Sequence, residues 1–342
     1  MRSVRARCGA RSAQLARQRL PLPDRLADRQ TQSRSRASNP AGARARRLAG
    51  GFCADVLGCR FLVCFETVEC AGGRLAVPGA ELVYDEQGLG EPLVLVHGTG
   101  AQASTWDGAV GDLVAGGYRV IAYDRRGYGR SVHRPVRDYR VHVADLAAVI
   151  EHVGAPAYVL GWSSGGSTAL ALAVERPELC RCVVVVEAIW HGLRYVTGDF
   201  LGVYRRIKFA QLCGRRREAA AIFFRWASGL CNGHNGFDAL SAVEQEVLLA
   251  NGRVVLAELD GHPFGQLMEY MSTKKLAASP VPMIWLLGTG TRSEWFRKLH
   301  SKAVQRAPNI RSDRIVGAGH FAHCDVPKNF AATVLRAVMN TP

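Results

Sequence analysis

Short apolar runs alternate with longer amphipathic segments along most of this chain. Residues 93–96 and 182–186 are uninterrupted apolar runs, whereas apolar side chains between residues 141 and 153 recur about every 3.6 positions. Runs without polar alternation are typical of strands that are buried on both faces of a parallel sheet. Because such strands alternate with helical segments, the sequence predicts an α/β fold with a mostly parallel sheet that helices flank.

The predicted elements begin with a hairpin around Pro78-Gly79 and end with a helix. Strands are predicted near residues 74–77, 81–86, 93–96, 119–123, 157–160, 182–186, 282–287 and 314–316. Helices are predicted near residues 104–114, 141–153, 167–173, 293–306 and 328–338. Ligands of parallel sheets bind at the carboxyl ends of the strands, so we expect functional residues in the loops that follow them.

The alternation of strands and helices stops at residues 188–279, a stretch of 92 residues rich in helix formers and aromatic side chains. This stretch is too long for a simple connection. We therefore predict a helical cap at residues 188–279, inserted between two parts of one α/β core at residues 69–187 and 280–342. Most of the aromatic residues are expected to form the core of the cap itself.

Residues 1–68 do not resemble a folded domain, because Arg, Ala, Ser, Gln and Pro dominate and no periodicity is sustained. We predict a disordered basic N-terminal extension. Two alternatives stay open: an Arg-rich transit peptide, and an upstream extension of the reading frame that the mature protein lacks.

The net charge of +15 is unevenly distributed along the chain. Residues 1–60 contain 14 Arg and three Asp, which leaves only +4 for the rest. Nucleic acid is therefore not an expected partner of the predicted α/β core. The ten Cys form no C-x-x-C pair or zinc-type spacing, and no apolar run is long enough to span a membrane. We expect a cytoplasmic protein with reduced thiols, a small-molecule substrate and no bound metal.

Gly161-x-Ser163-x-Gly165 lies between a predicted strand and a predicted helix. A strand that turns this sharply into a helix exposes the central side chain at the helix N-terminus, where a developing anion is favoured. The small residues two positions away on each side let the strand and helix approach closely. The pattern and its context predict Ser163 as a nucleophile.

A serine nucleophile needs a base, and histidine titrates near neutrality. Of the ten His in the chain, His320 is the preferred candidate, because it follows a short predicted strand in the Gly-rich loop Gly317-Ala318-Gly319. That loop belongs to the same edge of the sheet as Ser163. His323 is the alternative.

The order of these motifs resembles the α/β-hydrolase fold superfamily. The resemblance covers about residues 72–340 and rests on residues 93–100, 123–131, 161–165 and 317–320. It implies an eight-stranded, mostly parallel sheet, an inserted cap, and catalysis without a cofactor or metal. It also implies that the N–H groups of Thr99 and Ser164 form an oxyanion hole. For His97 we expect a structural role in shaping this loop and no role in proton transfer.

The third member of the expected triad departs from the family pattern. The usual acid follows the strand near residues 283–287, yet no carboxylate precedes Glu294 there, and Thr291 stands about where the acid is expected. Some members of this superfamily place the acid after the preceding strand, which here ends at Glu187. We predict Glu187 as the acid. A dyad without an acid and a different carboxylate remain alternatives.

These residues predict a serine hydrolase that cleaves a small, fairly apolar ester or thioester through an acyl-enzyme on Ser163, with His320 as the base. Two other functions remain open. One is a binding protein on the same fold with little or no turnover, which the missing carboxylate at Thr291 favours. The other is a related activity of the fold, such as C–C bond hydrolysis or acyl transfer to an acceptor other than water.

Overall fold

An eight-stranded sheet forms the centre of the described part of the protein. The computed structural model describes residues 71–136, 138–190, 195–260 and 272–340, so the prediction for residues 1–68 lies outside the described residues. The strands are β1 (Ala71–Val77), β2 (Ala80–Gln87), β3 (Glu91–Val96), β4 (Tyr118–Tyr123), β5 (Ala157–Trp162), β6 (Cys180–Val186), β7 (Met283–Gly288) and β8 (Ile310–Ile315).

The strands follow the order β1-β2-β4-β3-β5-β6-β7-β8 across the sheet. The hairpin β1–β2 is antiparallel, and β2 pairs antiparallel with β4. All the remaining neighbours are parallel. The prediction of an α/β fold with a mostly parallel sheet is therefore confirmed. The carboxyl ends of β3, β5, β6 and β7 meet at one edge, which brings their loops together.

Helices cover both faces of the sheet and also occur in the described residues between β6 and β7. The helices of the described residues are α1 (Asp107–Ala115), α2 (Tyr139–Val153), α3 (Ser164–Glu175), α4 (Gly198–Leu212), α5 (Arg216–Ala227), α6 (Gly236–Ala239), α7 (Ala242–Ala250), α8 (Gly252–Asp260), α9 (Thr273–Ala278), α10 (Glu294–Arg306), α11 (Ala322–Asp325) and α12 (Pro327–Met339). None of them is long and apolar enough to cross a membrane.

The hydrophobic core is divided by the sheet into two layers. Val94 and Val96 of β3 pack with one group of buried side chains, which includes residues of α2, α3 and α10. Leu93 and Leu95 of the same strand pack with the other group, which includes residues of α1 and α12. Successive side chains of a strand point to opposite faces, so a strand with a helical layer on each face must be apolar throughout. This requirement explains the uninterrupted apolar runs in the sequence.

The last strand begins earlier than the sequence pattern predicts. β8 starts at Ile310 rather than near residue 314, and its centre consists of Arg311, Ser312 and Asp313. β8 lies at the edge of the sheet, where Arg311 and Ser312 are exposed. Polar residues are common on edge strands because they discourage pairing with other chains. Because the strand has no apolar run, the sequence pattern did not predict its first four residues.

Among the described residues between β6 and β7 lie the helices α4–α9, and we call them the inserted helices. Their joining loops contact the core at the edge of the sheet where the parallel strands end. Leu230 forms a β-bridge with Thr291 in the loop after β7, and the side-chain amide of Asn251 donates a hydrogen bond to the Gly100 carbonyl at 2.8 Å. The inserted helices therefore reach the loops in which the sequence places the candidate residues.

Candidate active site

Ser163 occupies the turn between β5 and α3. β5 ends at Trp162, α3 begins at Ser164, and Ser163 between them has φ 54° and ψ −121°. Such a backbone conformation is rare for a residue with a side chain and persists only where the surroundings enforce it. Here the Ser163 N–H donates to the Val186 carbonyl at 2.9 Å, and its carbonyl accepts from the Ser167 N–H at 3.1 Å. These two hydrogen bonds hold the backbone of Ser163 through both its N–H and its carbonyl group.

The glycines of the motif allow close packing around this turn. A Cβ atom on Gly165 would lie 2.1 Å from the Val96 carbonyl oxygen and 2.5 Å from the His97 carbonyl oxygen. A Cβ atom on Gly161 would lie 2.6 Å from the carbonyl oxygen of Gly165. Because backbone atoms fill these positions, α3 can start directly above β3 and β5 only with glycine at both sites.

Replacing Gly165 with alanine is expected to destabilise the fold by about 3 kcal/mol or more, since the clash is with backbone that cannot rotate away. Chemical denaturation measures this change. Gly202→Ala is the matched control: the added methyl group meets nothing within 4 Å in helix α4. The control is expected to be neutral or to gain up to about 1 kcal/mol from helix propensity. Equal midpoints for the two variants would contradict the packing argument.

His320 lies against the residue that precedes the nucleophile. Its backbone carbonyl accepts a 2.7 Å hydrogen bond from Trp162 Nε1, and its ring centroid is 5.4 Å from that of Trp162. On another side the ring stacks on Phe296 at a centroid distance of 4.1 Å and an angle of 18°. Only 3% of His320 is exposed. Two aromatic neighbours and a backbone bond thus hold the imidazole beside the turn that carries Ser163.

Glu187 is the carboxylate that meets His320. It directly follows β6, has φ 47°, and is fully buried. Its Oε2 lies 2.8 Å from His320 Nδ1. Its Oε1 accepts a hydrogen bond from the Gly288 N–H at 3.1 Å and another from the Thr291 hydroxyl. A carboxylate at Nδ1 favours the tautomer with the proton on Nδ1, which leaves Nε2 able to accept a proton.

Thr291 stands where a carboxylate was expected from the sequence, and the structure shows what it contacts. Because β6 and β7 are neighbours, the loop after β7 comes beside the end of β6. The Thr291 hydroxyl therefore reaches the Glu187 carboxylate rather than His320. A buried carboxylate needs hydrogen-bond donors, and Thr291 supplies one of them. Its position one strand away from the acid could not be read from the sequence.

His323, the alternative base, occupies a different environment. Its ring lies 4.5 Å from that of Trp162, and its Nε2 is 2.9 Å from the hydroxyl oxygen of Thr105. Burial, and to a smaller extent the proximity of His320, lower the pKa of His323 to about 3. No carboxylate of the described residues forms a hydrogen bond or ion pair with this imidazole. The geometry therefore favours His320 over His323 as the base.

The loop after β3 carries the first predicted oxyanion donor, and His97 anchors this loop. The His97 Nε2 atom accepts the backbone N–H of Arg125 at 2.9 Å, and its Nδ1 lies 2.9 Å from the Gly98 carbonyl. Burial and the nearby Arg125 guanidinium lower the pKa of His97 to about 3, so its imidazole is neutral. These contacts are consistent with the predicted role of His97 in shaping the loop.

Thr99 and Ser164, the two predicted oxyanion donors, are adjacent in the structure. Their hydroxyl oxygens are 2.8 Å apart. Ser164 is the first residue of α3, and the N–H groups in the first turn of a helix have no carbonyl partner within the helix. The structure thus brings together the two residues that the resemblance pairs.

Arg125 and Glu258 join the same cluster, and sequence reasoning did not identify either of them. Arg125 follows β4, and Glu258 lies on α8 of the inserted helices. Their side chains form an ion pair at 3.0 Å, with 1% of the Arg125 side chain and 11% of the Glu258 side chain exposed. In a single sequence, a Glu in a helix carries no signal that would mark this contact.

Across the ranges that the structure describes, no group of three or more His, Cys, Asp or Glu side chains could hold a metal ion. The polar side chains of the site instead contact one another, as a chain from Thr291 through Glu187 to His320 and a second cluster around Arg125.

This chain is similar in sequence to several known proteins. The hydrolase YraK of Bacillus subtilis (strain 168) is 37% identical over 121 residues, which are 34% of this chain and 44% of YraK. This chain thus spans less than half the length of that relative. An sn-1-specific diacylglycerol lipase of Xenopus laevis is 26% identical over 263 residues, covering 75% of this chain and 81% of the lipase.

Among solved structures, the carboxylesterase CesB from Bacillus subtilis aligns with a TM-score of 0.61 at 16% identity. The alignment covers 80% of this chain and 93% of CesB, and it shows a likeness of fold. The sequence model of the alpha/beta hydrolase family matches residues 93–333. Since this match spans the sheet from β3 to β8 and most of the chain, the protein belongs to the alpha/beta hydrolase family.

Proposed function

We propose that this protein is a serine hydrolase that cleaves a small carboxylic ester or thioester. The observation that carries the proposal is the 2.8 Å contact between Glu187 and His320, with His320 held against the residue that precedes Ser163. An acid, a base and a strained serine at one edge of the sheet are the three parts that nucleophilic acyl transfer requires. Their order along the chain is Ser163, Glu187, His320.

In the proposed reaction, Ser163 Oγ attacks the substrate carbonyl carbon while His320 Nε2 takes the hydroxyl proton. The Thr99 and Ser164 N–H groups donate to the oxyanion of the tetrahedral intermediate. The intermediate collapses, and His320 returns the proton to the leaving alcohol or thiol. Water then attacks the acyl group on Ser163 by the same steps in reverse, which releases the acid. Glu187 stabilises the imidazolium that forms in each half-reaction.

Two of the similar proteins support an acyl ester as the substrate class. The Xenopus laevis relative is named as a lipase, and the Bacillus subtilis structure as a carboxylesterase. Ser163 at the turn is the nucleophile that ester hydrolysis needs, and no carboxylate occupies that position. As the sequence predicts, we propose that the substrate is small and fairly apolar.

The alternative of a binding protein loses its main support. It rested on the missing carboxylate at Thr291, and Glu187 supplies a carboxylate to His320 from the neighbouring strand. Acyl transfer to an acceptor other than water would use the same acyl-enzyme on Ser163. Product analysis in water, with and without an added alcohol, separates that activity from hydrolysis.

A serine-directed fluorophosphonate tests the proposal. We expect one label per chain, on the peptide that contains Ser163, because only an activated serine attacks phosphorus quickly. Peptide mass spectrometry locates the label. Ser163→Ala should abolish it, whereas Ser301→Ala, which changes an exposed serine on α10, should not. A folded wild-type protein that stays unlabelled and does not turn over p-nitrophenyl butyrate would contradict the proposed function.

A further inference from the structure

A closed ring of side-chain hydrogen bonds joins Thr99, Ser164, Arg125 and Glu258, and we call it the Arg125–Glu258 ring. Arg125 Nη1 is 3.0 Å from Ser164 Oγ, and Arg125 Nη2 is 3.0 Å from Glu258 Oε1. Ser164 Oγ is 2.8 Å from Thr99 Oγ1, which is 2.5 Å from Glu258 Oε2. The ring therefore passes through both residues whose N–H groups are the proposed oxyanion donors.

The direction of the hydrogen bonds in the ring follows from the donors that are present. A guanidinium only donates, a carboxylate only accepts, and each hydroxyl has one proton. Arg125 therefore donates to Ser164, Ser164 donates to Thr99, and Thr99 donates to Glu258, while the second Arg125 nitrogen donates to Glu258 directly. Every hydroxyl in this arrangement both accepts and donates. Hydrogen bonds that end on a guanidinium or a carboxylate are stronger than neutral ones.

The charges of the ring balance each other inside the protein. The histidines next to it do not add charge, because burial lowers the pKa of His97 to about 3 and holds the pKa of His142 well below its usual value. The Arg125 cation and the Glu258 anion are thus the charges that compensate each other at this site. Removing one of a buried pair leaves the other uncompensated, which disturbs its surroundings strongly.

The ring also connects elements that are distant along the chain. Thr99 follows β3, Arg125 follows β4, and Ser164 begins α3, whereas Glu258 comes from α8 of the inserted helices. Thr99 and Glu258 are separated by 159 positions. On its other side Ser164 is held through its carbonyl, which accepts from the Tyr139 hydroxyl at 2.9 Å. The position of α8 therefore contributes to holding Thr99 against Ser164.

We propose that Arg125 and Glu258 are positioning residues that hold the N–H groups of Thr99 and Ser164 in place for the oxyanion, and that docking of α8 completes this arrangement. The inference rests on the proposed hydrolase function. Oxyanion stabilisation depends on donors that are fixed before the reaction, at about 2.7–3.1 Å from the developing charge. A ring that links the two donor residues through their side chains supplies that fixation.

Glu258→Gln tests the role of the ring, because it keeps the shape of the side chain and removes the charge. We expect kcat for p-nitrophenyl butyrate to fall by about 10- to 100-fold, the size of effect that small misplacements cause. KM should change less than about threefold, since the ring acts on the transition state. An alkyl trifluoromethyl ketone, which forms an oxyanion on Ser163, should bind more weakly by about the same factor as kcat.

The matched control is Glu246→Gln, which breaks an exposed ion pair between Arg217 and Glu246 on neighbouring α7. It is expected to leave kcat and inhibitor affinity within about twofold of the wild type. Thr99→Val removes a ring hydroxyl while keeping the backbone N–H, and it provides a second variant if Glu258→Gln does not fold. Members of one network are not additive, so the double variant should lose little more than the worse single one.

The outcomes separate the two proposals. Suppose that the wild-type protein is labelled at Ser163 and turns over substrate. If Glu258→Gln and Thr99→Val then behave like the control Glu246→Gln, the ring has no positioning role. Losses that multiply in the double variant also overturn the ring, because the two residues would then act independently. If wild-type Ser163 is neither labelled nor active, the hydrolase function fails, and the positioning role fails with it.

Discussion

Ser163→Ala should lower kcat for an aryl ester by about 10⁵- to 10⁶-fold, the loss typical of removing the nucleophile from a triad. The alanine keeps the Cβ atom at φ 54°, so the backbone of the turn meets no new contact. Only the attacking oxygen is lost, and the remaining N–H donors cannot replace it. Initial rates at saturating substrate, measured with a sensitive fluorogenic ester, report the change.

Two measurements make the Ser163 result decisive. Circular dichroism and a thermal midpoint within a few degrees of the wild type establish that the variant is folded. Ser104→Ala, an exposed serine in the loop that follows β3, serves as the control and should retain full activity. Residual activity above about one per cent in purified Ser163→Ala would show that another group performs the attack, and the proposed mechanism would then be wrong.

Glu187→Gln should lower kcat by about 10⁴-fold, the effect seen when a triad acid becomes an amide. The Gly288 N–H and the Thr291 hydroxyl both donate to Oε1, so the amide oxygen is expected to take that position. The amide nitrogen then faces His320 Nδ1 and donates to it, which selects the wrong tautomer. Nε2 would carry the proton and could no longer accept one from Ser163. Stopped-time assays of kcat measure the loss.

Glu294→Gln is the control for the Glu187 prediction, because Glu294 is the first carboxylate after β7 and lies exposed at the start of α10. It is expected to retain activity within about twofold of the wild type. Thr291→Val removes one of the hydrogen-bond donors to Glu187. It should lower kcat about tenfold, since a single buried hydrogen bond is lost. A large loss in Glu294→Gln with full activity in Glu187→Gln would assign the acid to the usual strand instead.

Two parts of the candidate site have local signatures in the sequence. The turn at Ser163 is recognisable because its glycines, its strand and its helix all lie within about 20 consecutive residues, and each has a local signature. His320 is recognisable for a similar reason, since it follows a strand within a Gly-rich loop. The acid was harder to assign: Glu187 and Thr291 both follow strands, and only the adjacency of β6 and β7 shows which side chain contacts His320.

The sequence by itself determined the α/β class, the mostly parallel sheet and the identity of the candidate serine. Buried parallel strands require uninterrupted apolar runs, and a tight strand-to-helix turn requires glycine, so both leave a local trace. Only the tertiary structure decided that Thr291 supports Glu187 and that Glu258 reaches the loop of Thr99 from α8. Contacts between residues more than 100 positions apart depend on how the helices and strands pack. No local pattern in a single sequence marks the side chains that form such contacts.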